Sequence, residues 1–101
     1  MLTYGFHYDV KPDKRKDFLD VSNAALTAMK TMSGHIETKL LEDVNVKNSF
    51  MIYSEWESNE HFKTFMNSPE FKNVQNAARD MLTKRPKHQM YETKSMERPS
   101  A

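Results

Sequence analysis

The run SFMIYSEWE, Ser49 to Glu57, places apolar side chains on both sides of an extended chain: Phe50, Ile52 and Trp56 alternate onto one face, Met51 and Tyr53 onto the other. Successive side chains of a strand point to opposite faces, so a strand apolar on both faces needs cover on both. Whatever this chain folds into must supply a layer above and a layer below that strand.

The remaining periodicities say which layers are available. From Leu2 to Val10 the residues Leu2, Tyr4, Phe6, Tyr8 and Val10 alternate with Thr3, Gly5, His7 and Asp9, the period of a first strand. After Lys11-Pro12-Asp13, the residues Phe18, Val21, Ala25, Met29 and Met32 recur at steps of three and four until Ser33-Gly34, predicting an amphipathic helix closed by a glycine. His35 to Glu42 reads as a second strand with Ile36 and Leu40 on one face, and Asn45 to Asn48 as a hairpin loop into Ser49–Glu57. Ser58 caps a short helix carrying Phe62, Phe65 and Met66. Ser68-Pro69-Glu70 then starts another, through Phe71, Val74, Ala78 and Met81. Beyond Arg85-Pro86, Lys87 to Thr93 reads as a fourth strand and Lys94 to Ala101 as a polar tail.

The order is β-α-β-β-α-β, a ferredoxin-like α+β domain whose second helix is split. A chain of 101 residues suits one such domain, here residues 1–93 followed by the tail 94–101. Its helices cover one sheet face. The apolar residues left on the other face predict a homodimer that pairs the open faces of two sheets.

Bulk composition removes several function classes. Fifteen Lys and Arg against fourteen Asp and Glu are interspersed along the chain, which lacks the basic stripe used on nucleic acid or on an anionic membrane. The absence of Cys excludes disulfides, thiolate catalysis and thiolate metal sites, and agrees with a cytoplasmic location. No window approaches a membrane span or an export signal. The four His at 7, 35, 61 and 88 are scattered without metal-ligand spacing, so no metal is expected. With two Gly there is no phosphate-binding loop.

Among single residues, His7 beside Gly5 is the best acid/base candidate, since imidazole titrates near neutral pH and Gly5 leaves space; a partly exposed or interface His is the plainer reading. Trp56, the single Trp, either walls a planar-ligand cavity or caps the core between sheet and helix. Tyr4, Tyr8, Tyr53 and Tyr91 all fall on strands, where a phenol can hold a ligand oxygen or simply pack. His88 reaches either a cavity or the dimer seam. His35, His61 and the clusters Lys14-Arg15-Lys16 and Lys84-Arg85 read as solvated.

The segment SEWESNEHFKTFMNSPEFKNV, Ser54 to Val74, in this setting resembles the antibiotic biosynthesis monooxygenase (ABM) superfamily of dimeric α+β barrels, over about residues 1 to 93. The resemblance implies one of three functions. The first is cofactor-independent monooxygenation of a small aromatic or quinol-like substrate, in which the substrate itself reduces O₂. His7 would then be the base, Trp56 and Phe65 the pocket walls, Tyr53 or Tyr91 a hydrogen-bond donor, and Gln75 and His88 further pocket residues. The second is a non-catalytic ligand-binding member of the same barrel. The third is haem binding or degradation, for which the haem-degrading branch carries an Asn on the first strand, a Trp in the short helix and a ligating His in the next. Here those places hold Gly5, Phe6 or His7, then Phe65, then Gln75. An amide does not replace imidazole on iron, so no haem is expected.

Overall fold

The computed structural model describes residues 1–94. β1 (Leu2–Asp9) leads through a 3-10 turn at Pro12–Lys14 into α1 (Arg15–Lys30). There follow β2 (His35–Glu42), β3 (Ser49–Trp56), α2 (Asn59–Met66), α3 (Pro69–Ala78), a second 3-10 turn at Arg79–Met81 and β4 (Lys87–Glu92). The strands form one antiparallel sheet in the order β2-β3-β1-β4, the ferredoxin-like arrangement expected, with the second helix broken into α2 and α3. The expected tail lies, from residue 95 onward, outside the described residues.

The helix break is written locally. Ser58, in extended conformation, accepts the backbone N–H of His61 and opens α2. Ser68 does the same for Phe71 while its own hydroxyl donates to the Phe65 carbonyl at 2.6 Å. Pro69 follows at the first helical position, where its missing N–H costs nothing, so α2 ends and α3 starts at a new angle. On the other side of the domain, Gly34 closes the α1–β2 turn at φ 81°, a conformation glycine adopts freely. A Cβ there would fall 2.2 Å from the His61 ring, so the turn and α2 pack with no room between them.

β1 is central and fixes both faces. It pairs with β3 from Leu2↔Trp56 to Asp9↔Ser49 and with β4 from Leu2↔Glu92 to His7↔Lys87. Leu2, Tyr4, Phe6 and Tyr8 therefore share the helix side with Phe50, Ile52 and Trp56, and all are buried. Phe18 and Met29 of α1, Phe62 and Phe65 of α2 and Phe71 of α3 close this core, each large side chain worth about 1.5–3 kcal/mol on burial. Trp56 is fully buried, stacked on Phe65 with ring centroids 5.3 Å apart, and its indole N–H donates to Ser54 Oγ at 3.0 Å. The opposite face carries Thr3, Gly5, His7, Met51 and Tyr53, and no helix of the described residues lies over it.

Three expectations are corrected. Ile36 does not share the face of Leu40: the β2–β3 register shifts between His35 and Glu37, and Ile36 sits in that irregularity, exposed, while Leu40 packs against the core. His35 and His61 are half-buried, not solvated. The His35 ring stands edge-on to Trp56 and its Nε2 meets Thr38 Oγ1 at 2.5 Å, and His61 Nδ1 meets Ser58 Oγ at 2.7 Å. Arg15, too, is engaged. Its guanidinium bonds both oxygens of Glu42 at 2.5 and 2.8 Å and Asn48 Oδ1 at 2.9 Å, lying over the Phe50 ring.

The Glu42 carboxylate also accepts the N–H of Asn48, whose φ of 67° turns the hairpin, so one carboxylate ties α1 to the β2–β3 connection. Arg15 first, and the Asn48 N–H second, hold that carboxyl down at about 2. A depressed folded value contributes stability above the unfolded carboxyl range and loses it as pH falls through the folded value. Glu42→Gln is therefore expected to lower the thermal midpoint at pH 7, and the difference from the parent chain should shrink between about pH 4.3 and pH 2. A difference as large at pH 2 as at pH 7, in calorimetric scans, would contradict this.

Candidate functional site

On the helix side of the sheet, at the end of β1, a cleft of about 390 Å³ opens between β1, α3 and the segment that leads into β4. Phe6 and Tyr8 form its floor. Gln75, Ala78 and Arg79 of α3 and its following turn form one wall, and Leu82 to Pro86 the other. That second wall is fixed by backbone hydrogen bonds. Thr83 N–H donates to the Asp9 carbonyl at 2.9 Å, Lys11 N–H to the Met81 carbonyl at 2.8 Å, and Val10 and Leu82 form an isolated bridge. Pro86 then releases the chain into β4, whose first residue pairs with His7. A volume of 390 Å³ lies at the small end of the ~300–1,000 Å³ usual for small-molecule sites.

Behind Phe6 and Tyr8 lies a closed void of about 20 Å³, bounded also by Tyr4, Met29, Phe62, Phe65, Phe71 and Val74. Phe6 and Tyr8 are thus shared walls between outer cleft and inner void. The Tyr4 ring lies 4.4 Å from that of Phe62, and its hydroxyl, in a residue only 4% exposed, has no hydrogen-bond partner. Burial pushes the Tyr4 phenol upward from its ordinary value; burial, with Tyr4 as the lesser cause, does the same to Tyr8. Both phenols are protonated donors at neutral pH, and that of Tyr4 is buried without a partner among the described residues.

The residues singled out in the sequence divide among three places. Gln75 lines the outer cleft and Phe65 the inner void. His88 stands on the helix side of the edge strand, its ring 5.8 Å from both Phe6 and Tyr4, at the border of the cleft. Trp56 lines neither cavity and anchors the core. His7, Tyr53 and Tyr91 project from the opposite face, where His7 is cross-strand from Met51, and Tyr53 donates to the Glu55 carboxylate. That bond, chiefly, pushes the Tyr53 phenol up. The fold thus brings Gln75, Phe65 and His88 to one side of the sheet and separates them from His7, Tyr53 and Tyr91.

Sequence reasoning chose Tyr53 and Tyr91 over Tyr4 and Tyr8, read Lys84-Arg85 as a solvated cluster although both line the cleft, and did not single out Arg79. The signal for the other two tyrosines was present. Tyr4 and Tyr8 share parity with Phe6, the strand's most apolar centre, so they face the helices. The cations gave no such signal, because their meeting depends on how Leu82–Pro86 folds back.

Among the described residues no three or more His, Cys, Asp or Glu side chains gather as a metal site, and no helix is long and apolar enough to cross a membrane.

Comparison with known proteins agrees with this architecture. Residues 1–77 match the family described as antibiotic biosynthesis monooxygenase. The fold is similar to SnoaB, a cofactor-independent oxygenase from Streptomyces nogalater, with a TM-score of 0.82 at 18% identity over 94% of each chain. A Mycobacterium tuberculosis protein superposes with a TM-score of 0.87 at 15% identity, covering 94% of this chain and 96% of that one. In sequence, the chain is 34% identical over 86 residues to a Natronomonas pharaonis protein whose name proposes haem binding, and 35% identical over 86 residues to a similarly named protein of Haloarcula marismortui. The matches cover 85% of this chain but only 14% and 13% of those relatives. The match over residues 1–77, on a fold with this strand order, establishes that the chain belongs to the antibiotic biosynthesis monooxygenase family.

Proposed function

We propose that the cleft oxygenates a small aromatic phenol or quinol without a cofactor of its own. The observation that carries this reading is a ring-sized cleft floored by Phe6 and Tyr8, whose interior offers neutral hydrogen-bond donors in place of redox or metal-ligating groups. A ring lying on Phe6 would present an oxygen to Tyr8 and the Gln75 amide, and His88 at the border would take the phenolic proton. The resulting phenolate passes one electron to O₂. The substrate radical and superoxide combine into a C–O bond, and the peroxide loses water to leave a quinone. Overall, phenol plus O₂ becomes quinone plus H₂O, with both reducing electrons drawn from the substrate. His7, which was expected to be the base, lies across the sheet from this cleft and has no part in this reading.

The names of the haloarchaeal relatives raise haem as a second reading. The described residues do not fit that group: among them no His, Cys or Met lines the cleft, His88 standing beside Phe6 outside the lining, Gln75 stands where a ligand would be needed, and the Tyr4 and Tyr8 phenols resist ionisation. Because the match covers 14% and 13% of those relatives, the haem of their names has most of each chain to occupy.

The open sheet face belongs to a second copy of the chain in this proposal, since Met51, Leu41 and Tyr91 lie on it without a covering layer.

Three experiments test these statements. Oxygen uptake with dihydroxynaphthalenes should be seen in metal-free protein, and His88→Ala should lower kcat about 100-fold, the usual scale for a general base, while His7→Ala leaves it alone. The reverse pattern would return the base to His7. Absence of uptake, together with a saturable Soret shift on haemin titration and loss of that band with a reductant, would sink the oxygenase reading in favour of haem. Tyr4→Phe removes a buried hydroxyl without a partner and should raise stability by about 1 kcal/mol in denaturant titration; an unchanged midpoint would mean that a water in the inner void already satisfies it. Met51→Lys should convert a dimer into monomers in sedimentation, and a parent chain that sediments as a monomer would refute the sheet-to-sheet pairing.

A further inference from the structure

We propose that the ligand of this cleft is an aromatic anion, a ring compound carrying a carboxylate or an equivalent acidic group, oriented with the charge at the mouth and the ring on Phe6. The inference rests on the cleft being the ligand site and adds the substrate class.

The chain as a whole is nearly neutral, with signs interspersed, yet the cleft is not. Arg79, Lys84 and Arg85 line it, and among the described residues no Asp or Glu does. Among the described residues these three cations take part in no ion pair, while Arg15, Lys16 and Lys39 each hold a carboxylate. Their placement is structural. Arg79 follows the last turn of α3, and Lys84 and Arg85 sit on the segment that Thr83 and Leu82 tie to the end of β1, so the charges converge on a cavity from two walls. Like charges gathered without partners repel one another, a cost that an anionic ligand would relieve.

The opposite end of the site has complementary chemistry. Phe6 and Tyr8 give the cleft an aromatic floor, and Tyr8 brings to it a phenol that burial keeps protonated. A ligand that is charged at one end, flat and apolar in the middle, and able to meet a phenol at the other end satisfies all three features together. The same cations would favour ionisation of a ligand phenol nearby, since an adjacent positive charge stabilises the anionic form. A neutral hydrocarbon ring would leave the cations unused.

The test compares two fluorescent probes with one ring system, 1-anilinonaphthalene-8-sulfonate and its uncharged counterpart N-phenyl-1-naphthylamine, titrated into the full chain. The triple variant Arg79→Gln/Lys84→Gln/Arg85→Gln should weaken the sulfonate about tenfold, the size expected of two or three partly screened ion contacts, and change the uncharged probe less than twofold. A control with the same charge change elsewhere, Lys30→Gln/Lys63→Gln/Lys72→Gln, should leave both affinities unchanged, and added salt should weaken the sulfonate alone. An unaltered sulfonate affinity in the cleft variant, equal losses for both probes, an equal loss in the control, or no saturable binding of either probe would each overturn the proposal. The titration consumes no oxygen, so a chain that discriminates between the probes but shows no oxygen uptake would defeat the oxygenase reading and leave this one standing.

Discussion

The hydrogen bonding of β1 on both edges governs everything functional in this domain. A strand held between two antiparallel neighbours cannot slip by one residue without moving its entire side-chain set to the other face. With Leu2 fixed opposite Trp56 on one side and Glu92 on the other, parity sends Tyr4, Phe6 and Tyr8 toward the helices and Thr3, Gly5 and His7 away from them. The site's floor, its unpartnered phenol and the exclusion of His7 all follow from that register. So does the apolar character of the free face, because Met51 and Tyr53 of β3 lie cross-strand from His7 and Gly5.

The helices finish what the register starts. The restart at Ser68-Pro69 redirects the chain, so that Phe65 and Phe71 meet edge to face at 4.9 Å and α3 carries Gln75, Ala78 and then Arg79 to the end of β1. At the opposite end, the left-handed Gly34 and the His61 ring occupy the space between the α1–β2 turn and α2. Aromatic stacking fills the middle with little polar chemistry. Trp56, its indole N–H satisfied by Ser54 and its ring on Phe65, belongs to that filling.

How much of this was legible in the chain depends on the range over which each feature is decided. Strand and helix periods, the caps at Ser58 and Ser68 and the glycine stop at Gly34 are decided within a few residues, and the fold follows from them. Parity along β1 was legible too, and would have selected Tyr4 and Tyr8 over Tyr53 and Tyr91 had it been applied to the tyrosines. Ile36 escaped because a register shift leaves no mark in a hydrophobic pattern. His35 and His61 escaped because their burial is set by Trp56 and Gly34, which are distant in sequence or special in backbone shape. The cleft's second wall was illegible for the same reason. Leu82 to Pro86 has no periodicity, and its position comes from three backbone contacts, made by Met81, Leu82 and Thr83 to residues seventy or more places earlier.

One sheet therefore presents two surfaces with different tasks, and the division explains why the histidines were hard to assign. A catalytic group has to share a face with the cavity, and an interface group has to share a face with the partner; alternate residues of a single strand supply one of each. Phe6 and His7 are neighbours in the chain yet look into different compartments, the first forming the cleft floor and the second standing among Gly5, Met51 and Lys87. Gly5 shows the constraint acting on the free face: a Cβ there would come within 3.2 Å of the Met51 sulfur, so that Met51 lies flat across β1. A flat thioether beside a bare strand suits the sheet-to-sheet pairing proposed above, because packed sheets approach to about 10 Å and leave no room for tall side chains at the centre. In the proposed dimer that second sheet would lie on the face of β1 opposite Phe6 and Tyr8.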